Sequence, residues 1–388
     1  DMVEKYLDYQ QSRADGGFIS QGRVKTIKTY LKHFLEFIGK GRMMEPELIL
    51  ENTPDRSQDR RDRNAVLKTM AGFGIALTFI VVAAGAYTRL ADAGLGCPDW
   101  PGCYGYLTVP QTESEIASAE ALYPSTPVES YKAWWEMGHR YVAGSLLLLV
   151  FAMFVLAFKG RKQRTPIGLL SALLLIISCQ AAFGAWTVTL KLWPQVVTAH
   201  LLGGFTTLSL MWLIFVRQGG AKQLTTGLRA PGVLRRVALI LVVLQIALGG
   251  WVSSNYAALA CWNFPACDAT YVPNLELSQG FNLLQDVGPN YLGGLMESDA
   301  RKTIHWIHRL GALVVLSVLV PLMVQVYREN RSLAVTIGLV LAAQIGLGIL
   351  NVVWALPLIN ATLHNVVGSL LLLPLVTVNF APSIHRNS

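Results

Sequence analysis

Four histidines stand at matched places in this 388-residue chain: His139, His200, His308 and His364. Each lies about four to six residues inside the outward end of an apolar run, roughly 6–9 Å deep at about 1.5 Å per helical residue. Four unrelated core histidines would not share one depth on alternate helices. Two facing imidazoles with no nearby thiolate or carboxylate cluster suit a haem with two axial histidines. Zinc fits less well, because such a site needs further protein ligands. For any one of the four, a satisfied core or interfacial histidine is the plainer reading; the matched quartet points to a cofactor.

Glu136 is the second chemical signal. It precedes His139 by three positions, nearly one helical turn, so the two side chains share a face. A carboxylate there could take a proton or stabilise developing positive charge; the alternative is a carboxylate held by Arg89 or Arg140. In the second half the corresponding residue is His305, ahead of His308. That asymmetry suggests that one half does chemistry while the other holds a permanent cofactor. Arg89, Arg140 and Arg309 lie near the outer interface, where they could pair with haem propionates or simply snorkel. Two cysteine pairs, Cys97 with Cys103 and Cys261 with Cys267, enclose Pro and Trp residues in equal short gaps. Repetition makes these the expected disulfides, outward-facing as an oxidising compartment requires; a redox-active pair is the other reading. Cys179, inside a span, reads as a small apolar residue.

The elements that must position these groups are membrane helices. Hydrophobic residues make up 53% of the chain, charged residues 14%, and the mean hydropathy is +0.42. Such a composition excludes an ordinary soluble domain. The formal charge of +8 sits in short clusters between apolar runs, so topology explains it better than nucleic acid does. Eight spans of about the length a bilayer needs are predicted, near 68–90, 134–158, 166–189, 196–216, 234–254, 303–327, 332–354 and 359–380. Basic clusters at Arg56–Arg63, Lys159–Arg164, Arg217–Arg236, Arg328–Arg331 and His385–Arg386 alternate with loops poor in Lys and Arg. Both termini are therefore expected in the cytoplasm and the loops 91–133 and 255–302 outside.

The chain also repeats itself. Gly85 precedes Cys97 as Gly249 precedes Cys261, and Gln180 and Gly184 precede His200 as Gln344 and Gly348 precede His364. The expected fold is all-α: two tandem four-helix bundles related by a pseudo-two-fold axis along the membrane normal. Their bounds are 67–220 and 221–388. Residues 1–66 are polar and of a different character. Val24–Ile38 could form a basic amphipathic helix on an anionic membrane surface, or the segment is a soluble appendage, and Thr53–Arg63 reads as a charged linker. A chain starting at Asp1 reads as truncated or processed, and no cleavable signal peptide is expected.

With these residues in place, the chain resembles the haem A synthase family in its proteobacterial form. The motif is Gly85-Ala-Tyr-Thr-Arg-Leu90 followed by Gly94-Leu-Gly-Cys-Pro-Asp-Trp-Pro-Gly-Cys103, with Glu136-x-x-His139, His200, His308-Arg309 and His364 at the expected places. The resemblance covers about residues 68–380. It implies oxidation of a ring methyl of haem O to the formyl group of haem A, for cytochrome oxidase assembly. It further implies a substrate haem between His139 and His200, a resident haem b between His308 and His364, and Glu136 nearest the chemistry. Also implied are a bacterial inner-membrane location, haem O synthase and cytochrome oxidase assembly proteins as partners, an unidentified electron donor, and no nucleic acid. Two other readings stand beside it. A two-haem electron conduit would need haems at both depths of the membrane. A haem carrier would bind the macrocycle but have no need of Glu136.

Overall fold

The computed structural model describes residues 8–9, 11–12, 14–16, 24–30, 56–159, 166–268 and 270–381. The chain forms two compact units, Asp1–Asp59 and Arg60–Ser388. In the first, residues 24–30 are helical, with Val24 buried and Tyr30 exposed; the remainder of the expected Val24–Ile38 helix lies outside the described residues. The same holds for most of the Lys159–Arg164 cluster and for His385–Arg386.

The second unit is built from long helices: α1 Arg56–Leu90, α2 Glu113–Leu122, α3 Ser130–Lys159, α4 Ile167–Thr189, α5 Pro194–Arg217, α6 Val233–Ser254, α7 Ser298–Tyr327, α8 Arg331–Val353 and α9 Leu358–Phe380. Eight of them, all but α2, are long and apolar enough to cross a membrane. The protein is thus a multi-pass all-helical membrane protein. The expected Thr53–Arg63 linker is corrected: helix α1 already runs from Arg56. From Arg56 on, past Pro54, no Pro or Gly interrupts the charged stretch, and Leu67 and Ala71, one turn apart, are fully buried and anchor the helix that carries it. Helices α3 and α7 likewise begin at Ser130 and Ser298, earlier than their apolar runs. Their first turns are polar but useful, since Ala133, Ala300 and Thr303 are each 0% exposed. His139 and His308 therefore lie further into their helices than the apolar runs alone imply.

Two apolar cores hold the helices. One joins Leu67 and Ala71 of α1 to Val150 and Met153 of α3, Leu170 and Leu173 of α4, and Met211 and Ile214 of α5. The other joins α6, α7, α8 and α9 and takes in Val82 of α1 and Phe205 of α5. Helix α9 is the central one: 61% of its most apolar stretch is buried inside the protein, against 17% for α4. It packs on α8 and α6 of its own half and on α5 of the other.

The repetition is visible in the backbone itself. Non-glycine residues adopt the left-handed conformation at corresponding turns: Asp92 and Tyr256 (φ 51° and 54°), Tyr104 and Asp268 (53° and 57°), and Lys191-Leu192 and Ala355-Leu356 (49°, 61° and 54°, 61°). Such conformations cost about 1–2 kcal/mol each, so their recurrence at matched positions reflects a shared fold. Corresponding residues also touch. Arg89 Nη2 donates to the Ser253 carbonyl at 2.6 Å, and Tyr256 Oη donates to Asp92 Oδ1 at 3.0 Å.

On the opposite side of the membrane, an ion pair fastens the connection between the halves. Arg235, 0% exposed, donates to both carboxylate oxygens of Glu329 at 2.6 and 2.5 Å and to the Arg229 carbonyl at 2.7 Å. Removing one partner leaves a buried charge uncompensated, which costs about 3–5 kcal/mol. Glu329→Ala should therefore lower the thermal denaturation midpoint in detergent clearly, while Arg328→Ala, at an exposed neighbour, leaves it in place. Equal midpoints for the two variants would show that the pair contributes nothing net.

Candidate functional site

Each of the four histidines is pressed against a glycine on a neighbouring helix. A Cβ on Gly85 would lie 2.8 Å from His139 Cε1, on Gly184 3.6 Å from His200, on Gly249 3.2 Å from His308 and on Gly348 3.0 Å from His364. The glycines admit the rings rather than a bend in the chain. His139 of α3 and His200 of α5 face each other across the first half, with ring centroids 6.5 Å apart and planes at 82°. All four histidines are half-buried. The Nδ1 atom of His200 is nonetheless shielded and has no hydrogen-bond partner.

That arrangement fits a haem. With a metal–nitrogen bond of about 2 Å on each side and about 1 Å from nitrogen to ring centre, an iron between two coaxial imidazoles sets the centroids about 6 Å apart. Among the described residues no cluster of three or more His, Cys, Asp or Glu side chains could hold a metal ion. Two imidazoles per half are the available donors, which is the set a porphyrin's own four nitrogens complete. A buried ring nitrogen without a partner is a cost unless something occupies the space between the rings.

Above each histidine pair sits a disulfide loop, Cys97–Cys103 and Cys261–Cys267, with Cα separations of 4.8 and 4.5 Å. Each loop closes with one antiparallel bridge, Cys103 to Tyr106 and Cys267 to Thr270, and contains a cis proline, Pro101 and Pro265. Asp99 caps the first loop, accepting from the backbone N–H of Tyr104 at 2.6 Å and Gly105 at 2.8 Å. Gly102 could be nothing else, since a Cβ there would overlap the Tyr106 carbonyl. Burial, together with Glu129 and Glu136 nearby, pushes the Tyr104 phenol up to about 12, so it stays protonated and keeps donating to the Pro127 carbonyl at 2.9 Å.

Glu136 links this loop to the histidine below. Its side chain is 6% exposed; Oε2 accepts from Cys97 N–H at 2.9 Å and Oε1 from Arg140 Nη2 at 2.5 Å. Arg140 also donates to the carbonyls of Pro101 and Gly102 at 3.2 and 2.5 Å. The second half copies the scheme with other chemistry: Cys261 N–H lies 3.4 Å from His305 Nδ1, and Arg309 Nε 3.1 Å from His305 Nε2. A carboxylate can accept both donors, whereas a neutral imidazole accepts at one nitrogen only. The shorter contact to Cys97 in the first half follows from that difference.

Of the three arginines, Arg140 and Arg309 are thus spent on loop carbonyls; Arg309 reaches Asn263, Ala266 and Cys261 at 2.9, 2.9 and 2.7 Å. Arg89 stacks its guanidinium 4.1 Å over the Tyr256 ring and keeps a shielded Nε with no partner. It alone of the three has an uncommitted buried donor beside the sites. Cys179 is exposed, on the face of α4 away from the core. Gln245 is not among the residues that the spacing picks out. It precedes Gly249 by the same four residues that separate Gln180 from Gly184 and Gln344 from Gly348, which was the available signal.

The family model described as cytochrome oxidase assembly protein (COX15-CtaA) matches residues 68–376. The heme A synthase of Shewanella oneidensis is 43% identical over 310 residues, covering 79% of this chain and 93% of that one. Those of a Chelativorans species and of Methylobacterium radiotolerans are 31% and 30% identical, covering 77% and 82% of this chain and 86% and 90% of theirs. The chain belongs to the COX15-CtaA family.

Proposed function

We propose that this protein is a haem A synthase: it oxidises one ring methyl of haem O to a formyl group, supplying haem A for cytochrome oxidase. The observation that carries the reading is the pair of facing imidazoles, His139 and His200, with a buried carboxylate one turn away. Residues 67–220 hold the substrate haem between those two histidines, and residues 221–388 hold haem b between His308 and His364. When bound, haem b supplies one-electron chemistry.

The chain's own residues bind, orient and move protons. His139 and His200 fix the substrate's position, and the glycines behind them set how close it comes to the helices. Each of two successive two-electron hydroxylations takes its oxygen atom from O2 with electrons from an external donor, or from water with electrons passed to an external acceptor; together they give a geminal diol, which loses water to become the aldehyde. Glu136 serves that last step by taking a proton from one hydroxyl and returning one to the departing hydroxyl, so its own charge is unchanged overall. The Cys97–Cys103 loop above keeps bulk water from the site, and Arg140 holds both loop and carboxylate. Arg89, with its free Nε, is the arginine best placed for a propionate. Basic inner loops and paired outer cysteines support an inner-membrane protein with both termini in the cytoplasm. An electron donor and the assembly proteins of the oxidase are the partners this function requires.

The test is chromatography of haems extracted from membranes of a host that makes haem O, with and without the protein. Haem A or its hydroxylated precursor should appear only with it. Unaltered haem O beside haem b, from folded protein with adequate electron supply, would instead make it a carrier.

A further inference from the structure

The outer end of α3 carries an aromatic assembly that the reaction above does not use. Tyr131, Trp135 and His139 stand at every fourth position, a single stripe along the helix with neighbouring Cβ atoms about 5–6 Å apart. Tyr131 is 60% exposed and Trp135 half-buried, and their ring centroids are 6.4 Å apart. Tyr87 of α1 completes the group. Its ring lies 4.1 Å from that of Trp135, and its hydroxyl is 2.5 Å from the Tyr131 hydroxyl. The three rings thus run from the outer surface to the turn of α3 that precedes His139.

An aromatic belt at the membrane interface accounts for rings anchored singly, and both halves would need it. The second half does have interface aromatics, Trp262 and Trp306, but Trp306 is two positions from His308 and so on the other side of α7. Along the stripe itself, where α7 matches α3, stand Ala300 and Ile304, both 0% exposed. In the place of Tyr87 is Trp251, buried, with its N–H on the Gly280 carbonyl at 2.8 Å. The half with Glu136 therefore leads to its histidine through oxidisable rings, and the other half through aliphatic side chains. Indole and phenol give up single electrons to a strong oxidant, whereas a phenyl ring or an alkyl group does not.

Resting on the haem reading above, we propose that Trp135, Tyr87 and Tyr131 discharge to the outer surface an oxidising equivalent stranded at the substrate haem. Trp135 gives one electron inward. Tyr131 or Tyr87 refills it, breaking a phenolic O–H whose proton passes to outer water. An outer hydrogen-atom donor of the ascorbate or thiol class then remakes that O–H. Two such rounds discharge one peroxide, so that hydrogen peroxide and ascorbate become two waters and dehydroascorbate.

The test takes the full chain in detergent, loaded with haem O, treated with hydrogen peroxide and frozen rapidly for electron paramagnetic resonance. The wild type should show a tyrosyl signal, narrowed by ring-deuterated tyrosine and removed by ascorbate. Trp135→Phe keeps a ring in place but should lose the signal and bleach its haem faster for the same peroxide. Tyr131→Phe, at an exposed position, should leave a signal that ascorbate removes more slowly. Protein holding haem b alone should give no tyrosyl signal. No signal from wild type with haem O bound, wild-type signal and bleaching in Trp135→Phe, or the same signal from haem b alone overturns the proposal and leaves an interface belt. If Trp135→Phe does not fold, Tyr131→Phe decides, and wild-type quenching by ascorbate overturns it. If the wild type shows no histidine-ligated haem O spectrum, the proposed function falls and this proposal with it.

Discussion

Glu136→Gln should abolish haem A accumulation while leaving the protein folded, its Cys97–Cys103 bridge closed and its haem sites filled. General acid–base catalysis by a positioned side chain is worth about 10²–10⁴-fold, so product should fall by at least about 100-fold. The choice of glutamine matters because Glu136 also holds the loop. A Gln oxygen can still accept from Cys97 N–H, and Arg140 keeps the carbonyls of Pro101 and Gly102. What the amide cannot do is take a proton. Alanine would remove loop support and chemistry together and could not separate them. Extracted haems, haem content and thiol titration of the purified variant check the three parts of the expectation. Normal haem A output from Glu136→Gln would take the catalytic role away from this residue and leave it as the fastening of the loop.

His308→Ala should strip haem b from the purified protein. On the proposed assignment one axial ligand disappears, while Gln245 keeps its donation to the backbone carbonyl at position 308, 2.8 Å away, so the loss falls on the haem rather than on the fold. The low-spin signal of the second half should vanish and haem b per protein fall close to zero. Added imidazole should restore part of both, because Gly249 leaves room for a ring at that place. Unchanged haem b content would contradict the assignment of this half to the resident cofactor.

The eight spans were legible because a bilayer demands a length of apolar residues that little else requires. The repeat was legible because Cys, Gln, Gly and His recur in one order at matched spacings. The early starts of α3 and α7 were not, since hydropathy reports where a helix enters lipid and not where it begins. Arg140 and Arg309 were ambiguous for another reason. An arginine near the outer interface has the same sequence appearance whether it snorkels, binds a propionate or caps loop carbonyls, and carbonyls leave no mark in a sequence. The contrast between Glu136 and His305 was readable as an asymmetry. That both residues are wedged between a cysteine N–H and an arginine depends on the fold of two loops whose backbone conformation no residue type announces.

The meeting of Arg89 with Ser253, and of Asp92 with Tyr256, has a consequence for how the two halves came to differ. Contacts between like positions are the mark of an isologous interface, the kind by which identical subunits pair. In a homodimer every substitution at such a contact is made twice, so an arginine would meet an arginine and an aspartate an aspartate. Carrying both copies on one polypeptide lifts that constraint: Arg89 can find a carbonyl, and Asp92 a phenol, because their counterparts were free to become something else. The same freedom lets one copy carry Glu136 while the other carries His305. Covalent tandem linkage is thus what allows two sites of different chemistry to share one architecture.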